Sequence, residues 1–279
     1  MKRHSSIPCS AAAARSQRAF SVLELMVAVS LLALIVVALL AMFNQTQKAF
    51  RGGMAQTDVM ESGRIAMQFL TREMQQIAPT MDPGAKNLVM WTAGRPSPSS
   101  TMDLSPTQTR VNQLQDITFM TRLNDEWMAT AYRISNAVDG AGALYRWTRT
   151  YTNGVSPETL SNFCWVATAL PAPDSNDPTT YNTNFQFIAD GVAHLAAYPY
   201  TTNGVAMTNS PIVVGNAIRG YGYPGNELPA FLDLELGVLE LKTVAQFNAR
   251  APGNRVAWLK DQANRMHLFI QRIPIRNAP

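Results

Sequence analysis

The stretch Phe20-Ser21-Val22-Leu23-Glu24-Leu25-Met26-Val27-Ala28-Val29-Ser30-Leu31-Leu32-Ala33-Leu34-Ile35-Val36-Val37-Ala38-Leu39-Leu40-Ala41-Met42-Phe43 decides how the rest of the chain is read. From Leu25 to Phe43 it is apolar over 19 residues, interrupted only by Ser30. About 20 such residues in a helix cross a hydrocarbon core roughly 30 Å thick. A secretory signal peptide has a shorter apolar region, about 7–15 residues, with a small-residue cleavage site behind it. Here Asn44-Gln45-Thr46-Gln47-Lys48 follows, with no Ala-x-Ala pattern. Cys9 does not read as a lipoprotein cysteine, because no apolar region precedes it. Lys2, Arg3, Arg15 and Arg18 flank the run on its N-terminal side. The positive-inside rule keeps that flank in the cytoplasm and sends residues beyond 44 outward.

Those four cations also explain the charge of the chain. The net charge is +4. Residues 1–19 hold four of the 23 basic side chains and no acidic one, so the remainder is balanced against its 19 acids. A basic nucleic-acid-binding surface is not implied, and no nucleic-acid partner is expected. Apolar residues make up 47% of the 279, ample for a core, whereas charged residues are only 15%. That balance argues against a disordered polyelectrolyte and against a coiled coil. Cys164 is the single cysteine beyond the basic flank, so no disulfide framework can form within a processed chain.

Glu24 stands out because a carboxylate inside an apolar helix is expensive and marks function by default. A boundary residue reaching toward the headgroups is the plain alternative. The segment Arg15-Ser16-Gln17-Arg18-Ala19-Phe20-Ser21-Val22-Leu23-Glu24 and the apolar helix behind it resemble the type III signal of type IV prepilins and pseudopilins. The resemblance implies cleavage between Ala19 and Phe20 by a prepilin peptidase and N-methylation of Phe20. It also implies that Glu24 guides assembly by pairing with the Phe20 ammonium of a neighbouring subunit. Physically, such an ammonium offsets the desolvation cost of a buried carboxylate. The family usually has Gly before the cut and this chain has Ala19, which is still small enough for a tight cleft.

Helical periodicity continues past the apolar run. Phe43 and Phe50 are seven apart, as are Met60, Met67 and Met74. Met67, Leu70, Met74 and Ile77 form a 3–4–3 stripe with Glu61, Arg64, Arg72 and Glu73 between them, and Pro79 stops the pattern. Gly52-Gly53 is a weak point, costing about 1 kcal/mol per glycine relative to Ala. The predicted helix covers 20–77. Predicted strands are Leu88–Trp91, Asp116–Thr121, Trp127–Ser135, Ala143–Tyr151, Phe163–Ala169, Phe185–Tyr198, Phe231–Leu241 and Met266–Ile275. Leu232, Leu234 and Leu236 face one way and Asp233 and Glu235 the other. Asp139-Gly140 closes a hairpin. The stretches 92–113 and 171–183 read as surface loops, Gly220 to Pro229 as an irregular aromatic loop, and 256–265 as a short helix.

The expected fold class is α+β and pilin-like: a long N-terminal transmembrane helix packed on an antiparallel sheet. The expected organisation is a leader at 1–19, a membrane half of the helix at 20–43, an extracytoplasmic half at 44–78 and a β-rich domain at 79–279. Further motifs resemble J-type minor pseudopilins of type II secretion and PilW-like minor pilins. They are Phe69-Leu70 through Glu73 to Gln76, Ala131-Tyr132-Arg133-Ile134 followed by Leu144-Tyr145-Arg146, Asp190-Gly191-Val192 through Leu195 to Tyr198, Leu228-Pro229, and Ile273-Pro274-Ile275-Arg276-Asn277. The long polar insertions also resemble the prepilin-like cassette proteins of the Verrucomicrobia. The implied function is a structural subunit of a type IV pilus or a type II secretion pseudopilus. The implied partners are prepilin peptidase, other pilin subunits and an inner-membrane platform protein. The implied location is the inner membrane, single-pass, with the globular domain in the periplasm. The alternative is a membrane-anchored binding protein or adhesin that uses the signal for placement.

No catalytic residue, cofactor or metal is predicted. His4 leaves with the leader, and His194 and His267 sit in apolar strands without metal-ligand spacing. Cys164 lies in an apolar run. Asp233 and Glu235 share a strand face about 7 Å apart, a spacing open to paired-carboxylate chemistry and more often a solvated face. Asp174, Asn176 and Asp177 supply oxygens but follow no calcium motif. Tyr198, Tyr200, Tyr221 and Tyr223 are read as an aromatic contact surface for another subunit or an extracellular target, with core packing accounting for at least some of them.

Overall fold

The computed structural model describes residues 21–92, 100–105, 108–123, 126–135, 139–151, 185–214, 216–225 and 227–276. The chain divides into two compact units between Gly52 and Gly53. Helix α1, Val22–Met74, contributes to both. In the first unit every described residue, from Ser21 to Gly52, is exposed. It is apolar all round rather than striped, so it has no face to turn inward.

The second unit is built on a nine-stranded antiparallel sheet. Its strands are β1 (Lys86–Trp91), β4 (Asp116–Leu123), β5 (Glu126–Ile134), β6 (Gly142–Tyr151), β7 (Phe185–Tyr200), β8 (Pro211–Val214), β9 (Ala217–Pro224), β10 (Phe231–Leu239) and β11 (Met266–Pro274). Their spatial order is β11-β10-β7-β6-β5-β4-β1-β9-β8. The remaining strands, β2 (Ser100–Ser105) and β3 (Gln108–Asn112), form a separate two-stranded ribbon. The fold is α+β, as expected.

The amphipathic half of α1 lies on this sheet. Val59, Ala66, Met67, Leu70 and Met74 are buried and share one core with Leu88, Ile117, Leu144, Leu232, Leu234 and Leu236. The β10 alternation therefore falls as predicted. Gly63 sits under the ring of Phe269, where an added Cβ would lie 2.2 Å from Cε2. The glycine that weakens the helix in isolation lets it approach β11. Met60, by contrast, is exposed, as are Phe43 and Phe50, so the seven-residue spacings that include them do not mark a buried stripe.

α1 ends at Met74, three residues earlier than the stripe suggests. Ile77 forms an isolated bridge with Thr121, and the Ala78 amide donates to the Met120 carbonyl. Ile77 is thus buried as an extended residue rather than as a fourth helical one. Polar neighbours did not all face water either: Glu73 is turned toward the sheet.

Three further expectations are corrected. Gly220 to Pro224 belong to strand β9, paired with β1, not to an irregular loop. Gly220 is there because a Cβ would lie 2.0 Å from the Met90 carbonyl oxygen, a close approach that reads in sequence as a turn. The stretch 92–113 contains the β2–β3 ribbon, in which Met102 and Asn112 are buried. Leu241 starts a helix, α2 (Leu241–Asn248), instead of ending a strand. Helix α3 (Pro252–Leu259) and a 3₁₀ turn (Lys260–Arg265) account for the predicted short helix. Val244, Phe247, Leu259, Ala263 and Met102 form a second core under these helices. β5 and β6 pair around Asp139-Gly140 as predicted. The strand predicted at Phe163–Ala169 lies outside the described residues, as does the loop at 171–183.

Candidate functional site

Glu24 is in the first turn of α1. Its amide donates to the Ser21 hydroxyl oxygen at 3.2 Å. Ser21-Val22-Leu23-Glu24 thus carries the Ser-x-x-Glu pattern of a capping box, and a carboxylate there suits the positive end of the helix dipole. Sequence reading passed over this local role for Glu24, although the spacing showed it. Between Glu24 and Lys48 there is no charged residue. The helix is long and apolar enough to cross a membrane, and none of that segment is buried inside the protein. Ala19 and Phe20 lie outside the described residues, and with them the predicted cleavage and methylation positions.

Where α1 meets the sheet, three residues named by separate motifs converge. Arg146 of β6 grips Glu73 with two parallel bonds, Nε to Oε2 at 3.0 Å and Nη2 to Oε1 at 2.6 Å. The Tyr132 hydroxyl of β5 donates to the same Oε2. Arg146 also donates to Gln186 Oε1 at 3.1 Å and lies 5.5 Å from the Phe69 ring centre. Burial, reinforced by the Glu73 charge, holds the Tyr132 phenol far above its usual range. Tyr132 therefore stays a donor, and the network fixes the end of α1 to the β5–β6 hairpin.

A second polar group lies on the other face of the sheet. His194 is buried, and its Nδ1 accepts the Gln113 amide at 3.0 Å. That assigns the proton to Nε2, which faces Glu235 Oε2 at 3.0 Å. Arg110 of β3 donates to the same carboxylate oxygen at 2.9 Å. Burial, with help from the Arg110 charge, pushes the imidazole down to about 3. The ring is neutral, and the group straps the β3 segment onto β7 and β10.

Asp233 and Glu235 are not a free pair. Asp233 receives two bonds from Arg272, at 2.7 and 2.8 Å, and these hold its carboxyl below the usual range. Each carboxylate is engaged by its own arginine. His267 Nε2 stands 3.8 Å from Glu240 Oε1. Among the described residues no cluster of His, Cys, Asp and Glu is arranged to hold a metal ion. Cys164, Asp174, Asn176 and Asp177 lie outside the described residues.

Of the four tyrosines, core packing takes one outright and part of the other three. Tyr223 is fully buried and donates to the Met207 carbonyl at 2.6 Å, while Tyr198, Tyr200 and Tyr221 are half-buried in β7 and β9. Strand alternation folded them into the sheet, which the Gly- and Pro-rich sequence around them concealed. Compared with known proteins, the chain matches no family model, no curated protein and no solved structure.

Proposed function

We propose that the chain is a minor pilin or pseudopilin, a structural subunit that enters a type IV pilus or type II secretion pseudopilus through its N-terminal helix. The observation that supports this is the first unit: an apolar helix exposed on every side, with Glu24 in its first turn and no further charge before Lys48. An apolar surface of that extent is not left in water. Membrane lipid before assembly and neighbouring helices afterwards are the two surroundings that suit it. In this reading prepilin peptidase cuts between Ala19 and Phe20 and Phe20 is methylated. Glu24 then pairs with the ammonium of an adjacent subunit. The second unit stays in the periplasm while an inner-membrane platform protein and other subunits build the fibre.

Intact mass and N-terminal sequencing of membrane-extracted protein test the first step. The expected start is Phe20, leaving 260 of the 279 residues. A start beyond Phe43 would identify a removed signal peptide and sink the proposal. Shearing the cells and probing the fibre fraction tests the second step, with incorporation expected.

A further inference from the structure

β7 carries one residue more than the strand beside it. Gly142 of β6 pairs with Val192 and Leu144 with Ala189, so the single Ala143 stands opposite both Asp190 and Gly191. On the other side, the pairing with β10 ends at Val192. A bulge of this kind leaves backbone groups outside the ladder. The Gly191 amide turns instead to its own neighbour and donates to Asp190 Oδ1 at 2.7 Å. That is the one bond the Asp190 side chain makes among the described residues. Gly191 has a φ of +69°, and an added Cβ would lie 2.4 Å from Val244 Cγ2, so conformation and packing both demand glycine. No side chain then shields the Gly191 nitrogen. Asp190 itself is exposed. The chain has one other Asp-Gly pair, Asp139-Gly140, and its surroundings differ. Asp139 Oδ2 accepts from Arg255 Nη1 at 2.6 Å.

We propose that Asp190 is a modification site at which the backbone rearranges to isoaspartate, and that the fold selects it over Asp139. The Gly191 nitrogen attacks Cγ of the neutral Asp190 carboxyl. The amide proton passes through solvent to the departing hydroxyl, the Cγ–O bond breaks, and water leaves. A five-membered imide is closed. One water then adds across the bond between the imide nitrogen and the Asp190 backbone carbonyl carbon. The main chain now runs through Asp190 Cγ, and the former backbone carbonyl becomes a free carboxylate. The water lost is the water regained, so the mass is unchanged. The bulge supplies the proximity, because the attacked carbon is bonded to the oxygen that Gly191 already touches. At Asp139 the bond to Arg255 must open first. The product is one carbon longer beside Gly191, which packs on Val244, so the second core under α2 loosens.

The full chain in detergent micelles is held for several weeks at about pH 5, where part of an ordinary Asp carboxyl population is neutral. It is then digested, and the peptides that span Asp190 and Asp139 are sequenced by fragmentation that breaks the Cα–Cβ bond of isoaspartate. Methyl transfer from S-adenosylmethionine by an isoaspartate-specific methyltransferase counts the same product independently. Isoaspartate is expected at position 190 at least about tenfold faster than at position 139. In denaturant the two Asp-Gly pairs lose their different surroundings and should rearrange at similar rates. Asp190→Glu keeps the carboxylate but would need a six-membered ring, and no rearrangement is expected there. Asn203-Gly204 closes the same kind of ring with loss of ammonia, so its product differs in mass and is not confused with rearrangement at position 190. Absence of isoaspartate at position 190 in the folded chain overturns the proposal. Equal rates at the two positions in the folded chain, or a tenfold difference that persists in denaturant, would show that the fold makes no selection and would overturn it as well.

Discussion

Replacing Glu73 tests the junction between helix and sheet. Glu73 and Arg146 are 16% and 13% exposed at their side chains, so solvent screens the pair little. Glu73→Gln removes the charge and puts an amide NH₂ where Arg146 has a donor. Arg146 then keeps at most one bond to the neutral Gln carbonyl, which Tyr132 shares, together with Gln186 and the face of Phe69. Breaking a buried pair from one side costs about 3–5 kcal/mol, because the other charge is left uncompensated. The residual exposure favours the lower end, about 3 kcal/mol. For a domain of this size that corresponds to a drop of roughly 6–12 °C in Tm. The triple change Glu73→Leu, Tyr132→Phe and Arg146→Met removes every member together. It is expected within about 1 kcal/mol of the parent, since a well-packed apolar substitute for a buried ion pair is often neutral or stabilising. The assay is denaturant unfolding of the full chain in detergent, followed by tryptophan fluorescence. All five tryptophans lie beyond Gly53, so the signal reports the second unit. A Glu73→Gln loss under about 1 kcal/mol, or a triple variant as weak as the single one, would refute the account of the network as a closed unit.

Gly63→Ala gains about 1 kcal/mol of helix propensity, but its Cβ would stand 2.2 Å and 2.5 Å from Phe269 Cε2 and Cζ. Overpacking of this kind costs about 1–3 kcal/mol, so net destabilisation is expected in the same unfolding assay, reversed when Phe269→Leu is added. His194 gives a pH dependence. Its folded value of about 3 lies below the unfolded 6.5, so its contribution is complete above pH 6.5 and is lost as pH falls toward 3. The loss between pH 7 and pH 5 is about 2 kcal/mol, and unfolding curves of His194→Gln should lack it. Glu24→Leu should leave insertion and cleavage largely intact and reduce fibre incorporation. Glu24→Gln preserves the capping box while removing the charge, so normal incorporation of the Gln variant would show that the cap, not an ammonium pair, is what Glu24 provides.

Much of the fold was open to period counting. Leu232, Leu234 and Leu236 fell on the core face because strict alternation against one helix has only one solution. Met67, Leu70 and Met74 were legible for the same reason at helical spacing. What escaped was decided by contacts distant in sequence. Gly220 and Gly222 look like turn residues until β1 is placed against them. Ser100 to Asn112 has little apolar alternation, and its order depends on Met102 reaching the core below α2 and on Arg110 reaching Glu235. The polar networks were half legible. Glu73, Tyr132 and Arg146 were each singled out by motif, but a helix residue, a strand residue and its hairpin partner carry no local sign that they share one oxygen.

The two parts of α1 follow different sequence rules, and the change falls near Gly52-Gly53. Beyond it, the helix is specified by a partner: a buried stripe, a glycine under Phe269 and a carboxylate shared with β5 and β6. Before it, no stripe exists, and each residue from Ser21 onward faces outward. A segment without a preferred face gains nothing from any single orientation in lipid, so rotation and depth must be set at its ends. Lys48 and Arg51 can fix one end in headgroups by extending their long stems. At the other end Glu24 lies in the first turn, and Ser21 holds its backbone amide in a helix cap. Cleavage before Phe20 would place a new ammonium one turn from that carboxylate without altering Ser21, Val22 or Leu23. Under the proposed function, the same short stretch would first start the helix and then offer a charge for the next subunit to meet, which is why the Gln and Leu variants of Glu24 should part company in helix capping yet fail together in assembly.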